Sequence, residues 1–599
     1  MAEISQEKRA IRKFGDEEIE VIFRKARSIE ETQRDPTTRM NYPPLLPCVT
    51  VEDGIRIERD IAVSMRDGTI IYADIYRPDG ATNLPAIVCW SPYGKRAGYR
   101  EMMPHGVPPG AVSRYAKFES PDPAYWCHYG YAVANVDVRG VGNSQGDMVF
   151  FGTQDGKDGY DFIEWLAARE WCNGKVTMMG NSWVCMVQWF IAAELPPHLA
   201  CIAAWEGTAE MYREFVCWGG IPEVGFNNML IGRLAGPNYV EDWVAMIRKY
   251  PLMNRYWEDK IPVFENIEIP AYITANWLHF HLRGSLNGFR HISSPKKWLR
   301  VHREFEWEDA VTPENLEDLR RFFDRYLKNI YNGWEMTPRV RLDVMDYGDV
   351  DFQVKRPEKE WPLARTQYQK LFLNADTGQL SSKEVKQKSS IRYEATKGMA
   401  VFTTRFEEDT ELTGYMKLRL WVEADGADDM DLFVSVQKLD EKGNFVPPFT
   451  LRQPHPGFCG KLRVSHRELD EEHSTPYQPV HTHLREQLLK PGEIVPVEIE
   501  IWPMSMFWHA GQQLRVIVSG HYLREPECWY EGYKWELRNK GDHIIYTGGK
   551  YDSHLLVPVI PRKYTTNLPV PVIPPEYTAW SGLTTWEVVL PGYPTPARG

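Results

Sequence analysis

Met178-Met179-Gly180-Asn181-Ser182-Trp183-Val184-Cys185 is the stretch from which the rest of the chain is read. A strand-like run, residues 175–179, leads into it, and an apolar run with helical character, residues 186–195, follows. Strand, Gly-x-Ser and helix in that order are the layout of a nucleophile elbow. Such a turn lifts a serine hydroxyl to the end of a parallel sheet, beside a helix N-terminus. Gly180 suits the position because the turn brings backbones too close for a Cβ. Gly-x-Ser alone is a weak signal, and the flanking strand and helix give it weight. Turns of this kind usually close with a second small residue, and here Cys185 stands in that place.

Working outward, 599 residues are too many for one core, so two or three domains are expected. Hydrophobic content of 43% with 25% charged residues is that of an ordinary globular protein. The net charge of −12 and the lack of a long basic run argue against a nucleic-acid partner. Nine cysteines are scattered without a CxxC pair, which reads as reduced thiols and a cytoplasmic location rather than a disulfide framework. No secretory signal or membrane-spanning segment is expected, because neither an N-terminal apolar stretch nor a run of about 18 apolar residues occurs. The 22 Trp, 30 Tyr and 24 Phe fit large aromatic cores, or an aromatic-lined pocket.

Residues 1–48 read as a charged helical extension followed by a Pro-rich linker. From residue 49, strand-like runs alternate with helical ones. Residues 57–64, 70–76, 84–90, 131–138 and 175–179 are strands, several of them ending in glycine-rich turns. This rhythm predicts a parallel α/β sheet with its site at the C-terminal strand ends. Residues 201–265 break the rhythm and read as an inserted helical cap rich in aromatics, among them Trp205, Tyr212, Phe215, Trp218 and Phe226. Strands at 270–277 and 298–301 and a helix at 315–327 resume the sheet, so that 49–200 and 266–334 form one domain. Residues 335–599 carry short strands and almost no helical period, which predicts an all-β domain, read as a jelly roll. The Pro-rich end, 557–575, reads as extended wrapping.

The motifs resemble those of the cocaine esterase/X-Pro dipeptidyl-peptidase group of α/β hydrolases, the CocE/NonD hydrolases. Ser91-Pro-Tyr93-Gly-Lys95 is similar to that family's N-P-Y-x-K segment. Asp137-Val-Arg139-Gly140-Val-Gly142-Asn-Ser144-Gln-Gly146 matches its D-x-R-G-x-G-x-S-x-G loop. Phe322-Phe-Asp-Arg-Tyr-Leu-Lys328 resembles the end of its catalytic domain, and Asp429-Met-Asp-Leu432 its jelly-roll strand. Matching pieces run over roughly residues 50–560. The resemblance implies an α/β-hydrolase domain, a helical cap, a C-terminal jelly roll, and hydrolysis of an ester or amide without a cofactor. It also implies that Tyr93 supplies an oxyanion donor through its hydroxyl.

In such chemistry a serine attacks a carbonyl, a histidine takes its proton, and an acid orients the histidine. Ser182 is the expected nucleophile, with the Trp183 N–H as an oxyanion donor. The other two members do not carry over by position. Where the family has its acid, in a segment like A-G-W-Y-D, this chain reads Ala275-Asn-Trp-Leu-His279. Where the family has its histidine, after the next strand, it reads His302-Arg-Glu-Phe-Glu306-Trp. Three readings stay open: His302 as base with Glu306 or Asp309 as orienter; His279 or His281 as base; or a broken triad. Under the last, the fold would support a lyase, cyclase or acyl-transfer step on a metabolite, or binding alone. His279 and His281 could also hold a metal, but no third ligand with zinc-like spacing is evident, so no metal site is expected. Asp137 and Arg139 read as a structural pair, and Cys185 as a small packing thiol. The expected partner is a small apolar or aromatic substrate, with neither nucleic acid nor membrane. A homo-oligomer is compatible with this composition.

Overall fold

The computed structural model describes residues 7–27, 44–96, 107–450, 453–523 and 532–561. The chain divides into two compact units, Met1–Val216 with Gly225–Arg341, and Cys217–Val224 with Leu342–Gly599.

The first unit is built on one mixed sheet. β3 (Cys48–Glu52), β4 (Ile55–Ser64) and β5 (Ile70–Pro78) are antiparallel neighbours at one side. β5 pairs antiparallel with β7 (Ala132–Asp137). From β7 the sheet is parallel and runs through β6 (Leu84–Ser91), β8 (Cys172–Asn181), β9 (Leu199–Trp205), β11 (Ala271–Asn276) and β12 (Lys297–His302). The spatial order is therefore 3-4-5-7-6-8-9-11-12, an open α/β sheet. β6, β7 and β11 are buried along their whole length, as expected of strands covered on both faces. That is why they are legible as mostly apolar runs. The helices Thr153–Ala167, Trp183–Ala193, Leu282–His291 and Pro313–Leu327 follow strands of this sheet in the chain.

Two boundaries differ from the sequence reading. The expected N-terminal helix is a hairpin, β1 (Glu7–Phe14) against β2 (Glu17–Lys25), with β10 (Tyr239–Glu241) added to β2. The physical reason is a period of two: Ile19, Val21 and Phe23 recur at every second position on the covered face, with Ile22 buried as well between the last two. The second difference concerns residue 201, the expected start of the cap. β9 lies in the middle of the sheet, so the inserted segment begins only after Trp205. Between β9 and β11 it consists mainly of short helical pieces, among them Gly225–Gly232 and Trp243–Lys249.

In the second unit, a long strand Thr410–Asp425 pairs antiparallel with Val495–Trp508, Asp542–Thr547 and His554–Ile560. Asp431–Leu439 lies between Phe458–Arg463 and Gln513–Ser519, which in turn pairs with Met399–Arg405. This unit is β-rich as expected. The Pro-rich wrapping expected beyond residue 561 lies outside the described residues.

Candidate active site

Ser182 stands where β8 turns into the helix Trp183–Ala193, with φ 53° and ψ −122°. A non-glycine residue held in that region stores strain on the order of 1–3 kcal/mol, and tight packing is needed to keep it there. Gly180 shows the packing. A Cβ there would lie 2.3 Å from Val184 Cγ1 and 2.7 Å from the Glu119 carbonyl oxygen. The Ser182 N–H donates to the Glu206 carbonyl at 2.7 Å, which ties the elbow to the end of β9. Cys185 is fully buried, and the bulk it adds is matched by Gly207, whose Cβ would lie 2.6 Å from its sulfur. Burial pushes the Cys185 thiol well above its usual range, in keeping with a packing role.

Two loops converge on the serine. The loop after β11 brings His281 to the start of the helix Leu282–His291, where its Nε2 lies 3.3 Å from Ser182 Oγ. The loop after β12 brings Glu306 to the start of a short helix, and its Oε2 lies 3.2 Å from His281 Nδ1. The imidazole N–H is turned off the direct line to that carboxylate. Such geometry is common in unliganded sites and tightens when substrate binds. Asn276, the last residue of β11, clips the two loops together. Its amide donates to the Arg303 and Glu304 carbonyls and its oxygen accepts from Leu278 N at 2.6 Å. Asn181, one residue before the serine, donates to the Glu306 carbonyl at 3.3 Å.

Ser182 therefore meets His281, which the sequence reading carried only as an alternative. His302, the other candidate base, is placed elsewhere. Its Nε2 lies 3.0 Å from Glu206 Oε1 and 3.4 Å from Asp309 Oδ2, and its Nδ1 lies 3.0 Å from the Glu304 carbonyl. Burial lowers its pKa, but Asp309 and Glu206 more than offset this, so the net shift is upward. His302 is thus taken up by Glu206, Asp309 and the Glu304 carbonyl, beside the Arg300–Asp309 ion pair, whereas His281 is the histidine at the serine. His279 lies between two carboxylates, 3.9 Å from Glu206 and 4.0 Å from Glu306. It does not sit at the alternating strand position assumed from sequence, because the strand ends at Asn276 and residues 277–281 turn.

Tyr93 lies past the end of β6, its N–H bonded to Ser91 Oγ at 3.1 Å. The loop is fixed by Lys95, whose backbone and ammonium both reach Asp137, at 2.6 and 2.7 Å. Asp137 thus pairs with Lys95, and Arg139 with Asp158, rather than with each other as expected. The Tyr93 hydroxyl is within bonding reach of both Ser182 and Glu119, and burial, then Glu119 and Glu306, drive its pKa well up. Trp183 opens the elbow helix, so its N–H has no partner within that helix.

Three buried glutamates surround this serine, and sequence reasoning singled out only Glu306. Glu119 accepts from Trp307 Nε1 at 3.1 Å, and burial drives its carboxyl well up. Burial, then the charges of Glu119 and Glu206, do the same to Glu306. Nothing near Glu119 or Glu206 in the sequence marks them, because only the fold brings them to the elbow. Glu206, His279, His281 and Glu306 each also offer one possible ligand atom within 4.8 Å of the others, and so do Glu206, His302 and Asp309. In the second set Asp309 already pairs with Arg300.

An aromatic wall completes the site. Trp183 stacks on Trp243 with ring centroids 5.6 Å apart and meets Phe150 at 4.8 Å. Phe215, Phe226 and Phe280 meet one another at 5.5 Å, and Phe280 adjoins His281.

Residues 67–238 match the model of the X-Pro dipeptidyl-peptidase (S15) family, and residues 332–556 match that of the X-Pro dipeptidyl-peptidase C-terminal non-catalytic domain. A CocE/NonD family hydrolase from Staphylococcus aureus is 35% identical, over 87% of this chain and 99% of that one, with a TM-score of 0.80. A cocaine esterase from Rhodococcus is 22% identical over 86% of this chain and its own full length. An aminopeptidase from a thaumarchaeon shares the fold at 14% identity, over 87% of this chain and 99% of that one, with a TM-score of 0.62. With the elbow, the sheet order and these matches together, the chain belongs to the CocE/NonD family of α/β hydrolases, enzymes of the serine esterase and peptidase type.

Proposed function

We propose that this enzyme cleaves an ester or amide of a small apolar or aromatic compound through an acyl-enzyme on Ser182. His281 is the base, and Glu306 orients it and stabilises its charge. The observation that carries this reading is the line Ser182 Oγ, His281, Glu306, with steps of 3.3 and 3.2 Å. Ser182 Oγ attacks the carbonyl carbon while His281 Nε2 takes its proton. The Trp183 N–H and the Tyr93 hydroxyl donate to the oxyanion. His281 then passes the proton to the leaving group, and water repeats the sequence on the acyl carbon. Members of such triads on this fold usually follow the chain order serine, acid, histidine. Here the acid and the base have changed places between the β11 and β12 loops. The aromatic wall from Trp183 to Phe280 supports an apolar acyl group.

The antiparallel pairings of the second unit support its reading as a jelly roll. The eight cysteines among the described residues are all free, which supports a reducing, cytoplasmic setting. No helix among the described residues is long and apolar enough to cross a membrane.

A fluorophosphonate probe with mass mapping tests the assignment. Ser182 is expected to be labelled, and His281→Ala is expected to lose the labelling while His302→Gln retains it in the folded fraction. Labelling that survives His281→Ala and disappears with His302→Gln would return the role to His302.

A further inference from the structure

Around the triad lies a set of donors that acyl transfer does not use. Glu206 is fully buried; its Oε1 lies 3.0 Å from His302 Nε2, while its Oε2, 3.9 Å from His279 Nδ1, receives no hydrogen bond. His281 Nδ1 and Glu306 Oε2 are likewise buried without one. A buried, unbonded carboxylate oxygen is costly. It stays costly unless a charge arrives to meet it. His279 lies between Glu206 and Glu306, at 3.9 and 4.0 Å.

We propose that Glu206, His279, His281 and Glu306 form a site for one zinc-like divalent cation, and that filling it silences Ser182. The silencing rests on the assignment of His281 and Glu306 to the triad, whereas the binding does not. Atoms that all lie within 4.8 Å of one another fit within about 3 Å of a common centre, against metal–ligand bonds of about 2.0–2.1 Å. Side-chain rotation alone closes that gap. The 3.2 Å between His281 Nδ1 and Glu306 Oε2 is already close to the ligand–ligand edge of a tetrahedral site. Two imidazoles and two carboxylates are a borderline donor set, suited to zinc or cobalt. Ser182 is the partly exposed member of this group, so an ion enters past the nucleophile.

The same coordination disables the base. A neutral imidazole that gives its Nδ1 lone pair to a metal carries its one proton on Nε2. That nitrogen then donates to Ser182 Oγ and cannot take its proton. Glu306, drawn to the ion, no longer faces an Nδ1–H. Metal occupancy and acyl transfer therefore exclude each other.

The test uses the full chain, stripped of metal, with zinc alone as the probe. Calorimetry is expected to find one ion per chain, and His279→Gln or Glu206→Gln to weaken it by at least about tenfold, the low end of what a lost metal-site interaction costs. Zinc is expected to slow fluorophosphonate labelling of Ser182 at least tenfold, about the change such a loss of base implies, with recovery on adding a chelator. His279→Gln should label at the wild-type rate without zinc and resist zinc. Absence of stoichiometric binding, binding untouched by both variants, or a labelling rate that zinc leaves unchanged would each overturn the proposal. Should Ser182 fail to label under any condition, the triad assignment falls, while calorimetry still decides the ion site.

Discussion

His281 turns one ring nitrogen to Ser182 and the other to Glu306, so in the proposed mechanism the glutamate's main task is to fix which nitrogen carries the proton. Glu306→Gln preserves size and polarity but presents an amide that can donate to Nδ1, which favours the tautomer with its proton on Nε2. Turnover is expected to fall by up to about ten-thousand-fold, the loss seen when a triad acid becomes an amide, with little change in KM. Steady-state kinetics on an ester substrate measures both. At this scale the sequence marked Ser182 and Tyr93 because each sits in a local motif, an elbow or a strand end. It did not reveal the base. Three histidines lie at two adjacent strand ends, and family position did not choose among them, so His302 with Glu306 or Asp309, His279 or His281, and a broken triad all stayed open. The choice among them depends on which loop turns over the serine, and that is set by Asn276 clipping the loops and by Asp309 and Glu206 holding His302 away. These partners are remote in sequence and carry no local pattern.

Among elements, legibility followed burial. Strands covered on both faces, such as β6 and β7, are mostly apolar and were found nearly to the residue. β9 was missed because Leu199-Ala-Cys-Ile-Ala-Ala-Trp205 runs into an aromatic-rich segment with which it was grouped. The β1–β2 hairpin was missed because its dense charge hides a period of two. The helix Thr153–Ala167 carries a testable consequence of its docking. Asp155, in its first turn, accepts from Trp90 Nε1 at 2.9 Å and from Phe151 N at 3.0 Å. Complete burial nevertheless pushes its carboxyl from 3.8 up to about 7. The folded state thus holds a proton that the unfolded chain releases. The contribution is fully present below pH 3.8 and is lost as pH rises to about 7. Asp155→Asn, which stays neutral, lacks this dependence. Relative to the variant, the wild type is expected to lose on the order of 4 kcal/mol between pH 4 and pH 8. Denaturant unfolding of both proteins across that range measures it.

At the scale of the whole chain, the division into units does not follow the linear order. Cys217–Val224, within the segment expected to be cap, belongs to the second unit with Leu342–Gly599. Trp218 shows how it is held there. Its ring stacks on Trp502 at 4.0 Å and 18°, and Lys461 Nζ lies 3.0 Å from its centre. Val224 N donates to the Lys534 carbonyl and Lys534 N to Glu223, both at 2.8 Å. A stacked aromatic pair and a cation over the ring each add about 0.5–1.5 kcal/mol to the burial of the side chain. Trp218→Ala is therefore expected to destabilise the second unit by about 2–4 kcal/mol, less than a fully buried tryptophan would, since the ring is only half-buried. The measurement is calorimetric melting paired with Ser182 labelling. An early transition should appear while labelling at low temperature stays at the wild-type rate, because every residue of the proposed triad lies in the first unit. A single transition that keeps its wild-type midpoint would mean that the Trp218 stack contributes little to stability. Loss of labelling below the transition would mean that the segment also shapes the active site.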